Sequence, residues 1–326
     1  MNGKKHGGFS NWVKTYNGQK YITSVLFLLI PVLLLVVFTF IPAFQLIPYS
    51  LQERRQLSAA EDIHFVGLDN YKTIFTDSSY LITFKNSIYY LIGSFVQQIL
   101  ALLVATILCA KIKAKGLFKG VIFFPYLMNG VAVSLIFLNF FTYGEVFAGV
   151  PVTPQGPLNT MLGWFGVDPV IWLSDPAKAN WCLVFVSVWR YIGFDILMYI
   201  GAIQSISPDL YEAADLDGAN AWQRFRYIIF PSIKPIVSLQ LILAVKGAIS
   251  VFEIPYIMTN GQFDTSTFVI KTMDTMFAKD DVGVASAMAI VLLLITIIVT
   301  IIQKLCFSEG DGNAHKVKRS KKGARI

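Results

Sequence analysis

Charged residues are scarce in this sequence. Lys, Arg, Asp and Glu together make up 14% of the 326 residues, whereas ordinary soluble domains carry about 25%. Hydrophobic residues account for 55%, and the mean hydropathy is +0.59. This composition argues against a soluble globular protein and indicates an all-α polytopic membrane protein.

Cysteine and histidine are also rare. The chain has three of each, and the cysteines (Cys109, Cys182 and Cys306) form no closely spaced pair. Neither a disulfide framework nor a zinc-binding spacing is present. The histidines are scattered along the chain. We therefore expect no metal site.

The motifs of nucleotide binding and of common hydrolytic chemistry are missing. The P-loop pattern G-x-x-x-x-G-K-[ST] does not occur, and its nearest match, Gly116 to Gly120, is followed by Val121 where lysine is required. The patterns G-x-S-x-G and H-E-x-x-H are absent as well. We expect no catalytic residue and no cofactor in this chain, so any ATP that drives it must bind to another polypeptide.

Long apolar runs predict six transmembrane helices. A helix needs about 20 apolar residues to cross a hydrocarbon layer of roughly 30 Å. The first run is longer than the 7–15-residue core of a signal peptide, which favours a permanent helix. The predicted spans are residues 25–47, 86–110, 120–144, 181–206, 235–257 and 282–303.

The distribution of basic residues predicts the orientation. If the N-terminus is inside, the inner segments hold most of the 27 Lys and Arg residues, as the positive-inside rule requires. Both termini are then cytoplasmic. The chain divides into a cytoplasmic segment (1–20), a membrane domain (21–306) and a basic tail (307–326). Such a tail fits an anchor near anionic lipid better than an arm for nucleic acid, and we expect no nucleic-acid partner.

One organised polar segment, residues 207–234, lies between predicted spans 4 and 5 and so on the cytoplasmic side. It contains the stretch LYEAADLDGANAWQRFRYIIFP. Ser207 suits a helix N-cap and Pro208 the first helical position. Gly218 interrupts the helical pattern, and Pro231 is expected to end the second helix. The pattern predicts two short helices, although a solvated loop on the bilayer surface would fit it too.

The same segment resembles a family signature. Glu212-Ala213-Ala214, Gly218, Ile228 and Phe230-Pro231 match the spacing of the EAA motif (E-A-A, three residues, G, nine residues, I, one residue, L-P). This motif is typical of permease subunits of binding-protein-dependent ABC importers. The one departure is Phe230 in place of leucine, which exchanges one bulky apolar residue for another.

Further stretches resemble the carbohydrate-uptake branch of that family, related to the maltose permeases. They are FVGLDNYKTIF (65–75), GLFKGVIFFP (116–125), the segment 172–207 and VFEIPYIMTNG (251–261). The resemblance covers most of the chain. It implies the ABC type I importer permease fold in a prokaryotic cell membrane and the transport of a sugar or oligosaccharide.

The resemblance also implies partners and roles. The family pairs two permeases, here expected as a heterodimer, with two ABC ATPase subunits that hold ATP and Mg²⁺. An external solute-binding protein delivers the sugar. The signature loop is the coupling helix that docks on the ATPase, and carried over to this sequence the docking residues are Glu212, Ala213, Ala214, Asp217, Gly218, Trp222, Phe225 and Pro231.

Four charged residues fall inside predicted spans, where charge is costly and usually faces protein or a water cavity. Counted at about 1.5 Å per residue, Asp195 and Lys246 lie at similar depths, which predicts an ion pair between them. Sugars are bound by planar polar groups and aromatic faces, although ordinary helix packing also explains such residues. The candidates for the substrate path are Asn129, Asn139, Trp189, Arg190, Tyr191, Glu253 and Tyr256.

Two other functions remain open on sequence grounds. The first is an ABC permease for a different solute, such as glycerol phosphate or a polyamine. The second is a membrane scaffold or an intramembrane enzyme. The enzyme hypothesis is weakened because, apart from Asp195 and Lys246, the spans hold no paired catalytic groups at one depth.

Overall fold

The computed structural model describes residues 15–57, 59, 62–109, 115–144, 146–147, 150–151 and 155–308. Most of the predicted N-terminal segment and residues 309–326 of the predicted basic tail lie outside this range. The predicted domain boundaries and the orientation of the termini therefore remain predictions.

Helices make up most of the described chain. The first helical run joins α1 (Tyr16–Leu35), a π-helical turn (Val36–Phe40) and α2 (Ile41–Ser50). It is followed by α3 (Asp69–Thr76), α4 (Ser78–Cys109), α5 (Lys115–Leu127), α6 (Gly130–Phe140), α7 (Pro157–Gly163), α8 (Pro176–Gln204), α9 (Pro208–Leu216), α10 (Ala221–Arg224), a π-helical turn (Phe225–Ile229), α11 (Phe230–Ile249), α12 (Glu253–Thr259), α13 (Phe268–Met273), a π-helical turn (Asp274–Ala278) and α14 (Val282–Ser308).

The helices confirm the predicted all-α membrane fold. Within the described residues, five are long and apolar enough to cross a membrane, or six if α5 and α6 count as one bent span. The first run exposes large apolar side chains, such as Phe27 (78% exposed). In a membrane protein such a surface is left to lipid or to another chain.

The predicted span over residues 120–144 contains a broken helix, which its continuous hydropathy did not indicate. α5 and α6 meet at 94°. Asn129 adopts an extended conformation at the break and accepts a hydrogen bond from the backbone N–H of Val131 (2.8 Å). This cap supplies a partner for one of the N–H groups that the start of α6 leaves free. Pro125, which has no N–H to donate, lies in the last turn of α5.

Pro231 does not end the helix that precedes it, contrary to the prediction. α10, the π-helical turn and α11 form one continuous helical run from Ala221 to Ile249. Pro231 lies next to the wider π-helical turn and at the start of α11, where its missing N–H is tolerated. Because the run is unbroken, α10 is rigidly connected to the membrane helix α11.

Two apolar clusters occupy the centre of the fold, where α4 packs along α8. One cluster joins the first half of α8 to α6 and α12, with Leu183 and Val133 fully buried at its centre. The other joins the second half of α8 to the end of α4 and the start of α11, around Ile200 and Ile233. Between them lies a layer of polar side chains.

A third cluster anchors the last helix. Ile74 of α3, Phe268 of α13 and Met288 of α14 pack together and are almost fully buried. A small antiparallel hairpin of β1 (Gln52–Glu53) and β2 (His64–Phe65) lies beside them. A second hairpin pairs β3 (Val146–Phe147) with β4 (Val150–Pro151). The contacts of α3 and β1 tie the connection after the first helical run to α14.

Candidate functional site

A cavity of about 500 Å³ lies between the two central clusters. Its walls come from α4, α8, α11 and the start of α12. Cavities of this size are typical of sites for small organic ligands. The residues that carry its polar and aromatic character are Tyr90, Ser94, Gln97, Gln98, Ser187, Tyr191, Phe194, Asp195, Gln240, Ser250, Phe252 and Glu253.

Asp195 sits at the centre of a hydrogen-bonded network in this cavity. The Nε2 groups of Gln97 and Gln98 donate to its Oδ2 at 2.6 and 2.8 Å. Gln240 Nε2 donates to its Oδ1 at 2.8 Å. The hydroxyl of Tyr199 donates to Gln98 Oε1 at 2.6 Å. The network therefore links α4, α8 and α11 through polar side chains in the membrane region.

The predicted ion pair between Asp195 and Lys246 is not formed. The ion pairs among the described residues are Asp175–Lys178, Arg190–Glu253 and Asp215–Arg224. The residue of α11 that faces Asp195 is Gln240, and six further residues place Lys246 about 120° around the helix from it. The sequence therefore left both the rotation about the helix axis and the exact level of the contact undetermined.

Within the membrane region, Arg190 and Glu253 form an ion pair. Arg190 Nη1 donates to Glu253 Oε2 at 2.6 Å and to the hydroxyl of Tyr191 at 3.0 Å. The pair lies directly against Gly130, where a Cβ atom would overlap the Glu253 carboxylate. Gly130 is the first residue of α6, immediately after the 94° bend. The ion pair thus joins α8 and α12 at the break between α5 and α6.

The cavity brings together two of the seven predicted substrate-path residues, Tyr191 and Glu253. Arg190 lies beside it, bound to both. Trp189 packs edge-on against Phe137, with ring centroids 5.1 Å apart.

The other three predicted path residues are held by local contacts. Asn129 caps α6. Asn139 donates to the carbonyl of Leu135 within its own helix (2.9 Å). Tyr256 stacks on Phe252, with ring centroids 4.9 Å apart. None of the three lines the cavity in the described structure.

The sequence analysis missed the uncharged polar residues of the cavity, above all Gln97, Gln98 and Gln240. Neighbouring glutamines in an otherwise apolar span are a usable signal, because an amide in hydrocarbon requires a hydrogen-bonding partner. Tyr90 gave no such signal, since tyrosine is common near membrane interfaces.

The loop after α8 forms the two short helices that its sequence predicts. Gly218 separates α9 from α10 and has a φ of +69°, a conformation that strongly favours glycine. α10 begins with a capping box in which Asn220 and Gln223 exchange side chain to backbone hydrogen bonds. Ser207 lies at the N-cap of α9, but its side chain makes no capping hydrogen bond.

An ion pair closes the loop across Gly218. Arg224 of α10 binds the carboxylate of Asp215 on α9. Its Nε also donates to the carbonyl of Ala219 at 3.0 Å. One arginine side chain thus connects the two helices across Gly218.

Most of the predicted docking residues are exposed on this loop. Glu212, Ala213, Asp217, Gly218, Trp222 and Pro231 are exposed, and Phe225 is half-buried. Ala214 is the exception, because it is buried by the chain's own residues. Leu216 (90% exposed) and Trp222 (68%) place two large apolar side chains on either side of Gly218, which is typical of a surface that another protein covers.

The opposite side of the loop is fastened to the helical body. Tyr211 and Phe225 pack against the cluster around Ile200 and Ile233. Burial raises the pKa of the Tyr211 hydroxyl above its ordinary value. A displacement of the loop is therefore transmitted to α8 and α11.

Comparisons with known proteins agree with this architecture. Residues 97–307 match the family described as the binding-protein-dependent transport system inner membrane component. The chain is 34% identical over 299 residues to the probable ABC transporter permease protein YurN of Bacillus subtilis, covering 90% of this chain and 98% of that protein. It is 31% identical to the multiple sugar-binding transport system permease protein MsmF of Streptococcus mutans, covering 85% and 92%.

The fold also resembles a solved transporter. A chain of the bacterial alginate ABC transporter, in complex with an alginate pentasaccharide-bound periplasmic protein, superposes with a TM-score of 0.76 at 20% sequence identity. The match covers 90% of this chain and 96% of that one. The chain belongs to the family of inner-membrane components of binding-protein-dependent transport systems, the permease subunits of ABC transporters.

Proposed function

We propose that this chain is a permease subunit of an ATP-driven importer for a sugar or oligosaccharide that an external solute-binding protein delivers. A second permease, expected as a heterodimer partner, completes the pathway. Two ATPase subunits bind ATP and Mg²⁺ and dock on the loop around Gly218. Both termini and this loop lie in the cytoplasm, as the basic residues predict.

One observation carries the mechanism. The two helices that hold the polar network of the cavity are the same two that run into the loop. Asp195 belongs to α8, which precedes α9, and Gln240 belongs to α11, which continues α10 without a break. A force applied to the loop therefore moves both sides of the Asp195–Gln240 contact. Coupling of this kind requires an element with two arrangements that a distant ligand biases.

The sugar assignment rests on the resemblance to the carbohydrate-uptake branch and on relatives named for sugars, such as MsmF. The cavity agrees with it, since amide, hydroxyl and aromatic groups line its walls. Such walls bind hydroxyl groups through planar hydrogen-bonding side chains and sugar rings through aromatic faces.

The docking role is tested by the double variant Glu212→Lys with Gly218→Asp. Both positions are exposed, so the variant should insert into the membrane normally. The reversed charge and the strained backbone at a φ of +69° should abolish copurification with the ATPase subunits. Asp168→Lys, a charge reversal at an exposed residue far from the loop in sequence, serves as the control and should copurify normally. Normal assembly of the double variant would refute the docking role.

A further inference from the structure

Two buried polar atoms in the cavity wall have no hydrogen-bond partner in the described part of the chain. They are Oε1 of Gln240 and the hydroxyl oxygen of Tyr90. Their residues are only 1% and 3% exposed, and both line the cavity. Buried polar groups in native proteins are normally hydrogen-bonded to protein, water or ligand. These two atoms are therefore unsatisfied polar groups on residues of the cavity wall.

The orientation of Gln240 is set by the network. Its Nε2 is committed to Asp195, so its oxygen is the atom left to accept a hydrogen bond. Gln98 is oriented in the same way by Asp195 and Tyr199. Gln240 thus offers its oxygen as an acceptor and keeps one further amide N–H, while the Tyr90 hydroxyl can both donate and accept.

The charged residues that line the cavity are both acidic. Asp195 and Glu253 line it, whereas no Lys, Arg or His is found among its described lining residues. The donors to the Asp195 carboxylate are all neutral amides. Arg190 lies beside the cavity, where its Nη1 donates to Glu253 and Tyr191, and its buried Nε has no hydrogen-bond partner in the described structure. An anionic occupant would meet two carboxylates and no cation among these lining residues.

We infer that this cavity admits an uncharged, hydroxyl-rich cargo and excludes anionic saccharides, with Gln240 and Tyr90 as cargo contacts and Asp195 as the charge-selective residue. The inference rests on the proposed function. A cargo hydroxyl donates to Gln240 Oε1, and the Tyr90 hydroxyl donates to a cargo oxygen. A uronate brings only acceptors on its carboxylate, and its charge is repelled by Asp195 at low local dielectric.

The solved transporter of similar fold gives no reason to expect acidic cargo here. That transporter imports alginate, an acidic polysaccharide. At 20% sequence identity, the similarity shows a shared fold and not a shared cargo. The cavity of the present chain provides carboxylates and amides rather than cations. The two chains are therefore expected to differ in the charge of what they carry.

Thiol labelling in membranes containing the whole transporter tests the inference. Ser94 lines the cavity and is half-buried, so Ser94→Cys places a reporter thiol in it. A set of neutral trisaccharides, including maltotriose, is compared with trigalacturonate of the same length as a protectant against a maleimide. At least one neutral trisaccharide should slow labelling. Trigalacturonate should need about a tenfold higher concentration to give the same protection, because its carboxylates are brought close to the carboxylate of Asp195.

Two controls separate the cavity from its surroundings. Ser232→Cys is exposed and outside the cavity lining, so no saccharide should protect it. The unsubstituted chain gives the background from its native cysteines. Asp195→Asn, which keeps the shape of the side chain, should bring trigalacturonate protection to within a fewfold of the neutral sugars. If that variant fails to fold, Ser187→Cys repeats the comparison from a second lining residue, on α8.

The outcomes distinguish the inference from the function on which it rests. Protection by trigalacturonate equal to that by the neutral sugars would overturn the charge selectivity. Absence of protection by every saccharide would overturn the assignment of the cavity as the cargo site. Uptake of the same set by the intact transporter is measured in parallel, and failure to import any saccharide would count against the proposed function itself.

Discussion

The Arg190–Glu253 pair shows how single residues hold the bent region of the fold together. The Arg190 side chain is 12% exposed and that of Glu253 is 39% exposed. Together they fill the space that the missing side chain of Gly130 leaves. Removing Glu253 would leave the largely buried Arg190 side chain without its counter-ion.

We expect Glu253→Gln to lower the stability of the purified permease. A fully buried pair would cost roughly 3–5 kcal/mol when broken, and the partial exposure of Glu253 reduces our expectation to about 2 kcal/mol. Thermal unfolding in detergent measures the loss. Arg190→Gln combined with Glu253→Gln should recover part of it, since no lone charge then remains.

Lys178→Gln provides the matched control, because it breaks the Asp175–Lys178 pair at an exposed helix start. Exposed pairs contribute little, so the unfolding temperature should not change measurably. An equal loss of stability for Glu253→Gln and Lys178→Gln would show that the location of the Arg190–Glu253 pair has no special importance.

At the scale of residues, the sequence predicted the charged positions and left their partners undetermined. Asp195, Arg190 and Glu253 stand out because charge is rare in apolar spans. Their true partners depend on rotation about each helix, which no residue count fixes for two separate helices. The cavity glutamines were missed because hydropathy and charge dominate the signal from a span.

At the scale of elements, the loop of α9 and α10 is a prebuilt unit rather than a flexible connection. The Asp215–Arg224 pair and the capping box set its angle. The π-helical turn Phe225–Ile229 then leads directly into α11. A rigid loop transmits displacement, whereas a flexible one would absorb it.

We expect charge reversals at either end of the Asp215–Arg224 pair to reduce the stimulation of ATPase activity by loaded solute-binding protein. Asp215→Arg and Arg224→Asp should each weaken it, while the double exchange should restore part of it because the pair can form in the opposite sense. The pair is partly exposed, so the effect on unfolding should be small. Stimulated hydrolysis by the assembled transporter is the measurement.

Arg226→Asp is the control for this exchange, since Arg226 is exposed and makes no ion pair among the described residues. It should leave stimulation near the wild-type level. If the double exchange restored no more stimulation than either single variant, the Asp215–Arg224 pair would not set the angle of the loop.

The elements themselves were largely predictable. Predicted spans 1 and 6 each fall within a long helical run, predicted spans 2 and 4 overlap one over most of their length, and Gly218 divides the loop as its pattern indicates. Two expectations failed for local reasons. The cap at Asn129 breaks the third span although its hydropathy is continuous, and the π-helical turn carries the helix past Pro231.

At the scale of the whole molecule, the chain has the features of one subunit in an assembly. The apolar surface of α1, the exposed Leu216 and Trp222 and the polar cavity each require something outside the described chain. In the proposed transporter these are lipid or the second permease, the ATPase and the cargo. The loop and the cavity are connected by α8 and α11.

The central claim is that ATP hydrolysis on partner subunits moves cargo through this chain by way of the loop. ATP-driven uptake of a labelled neutral oligosaccharide into proteoliposomes, with the partner permease, the ATPases and the solute-binding protein present, tests it most directly. The account predicts uptake that requires ATP and the binding protein and that disappears with Glu212→Lys and Gly218→Asp. Undiminished uptake with that variant, or uptake without ATP, would contradict it.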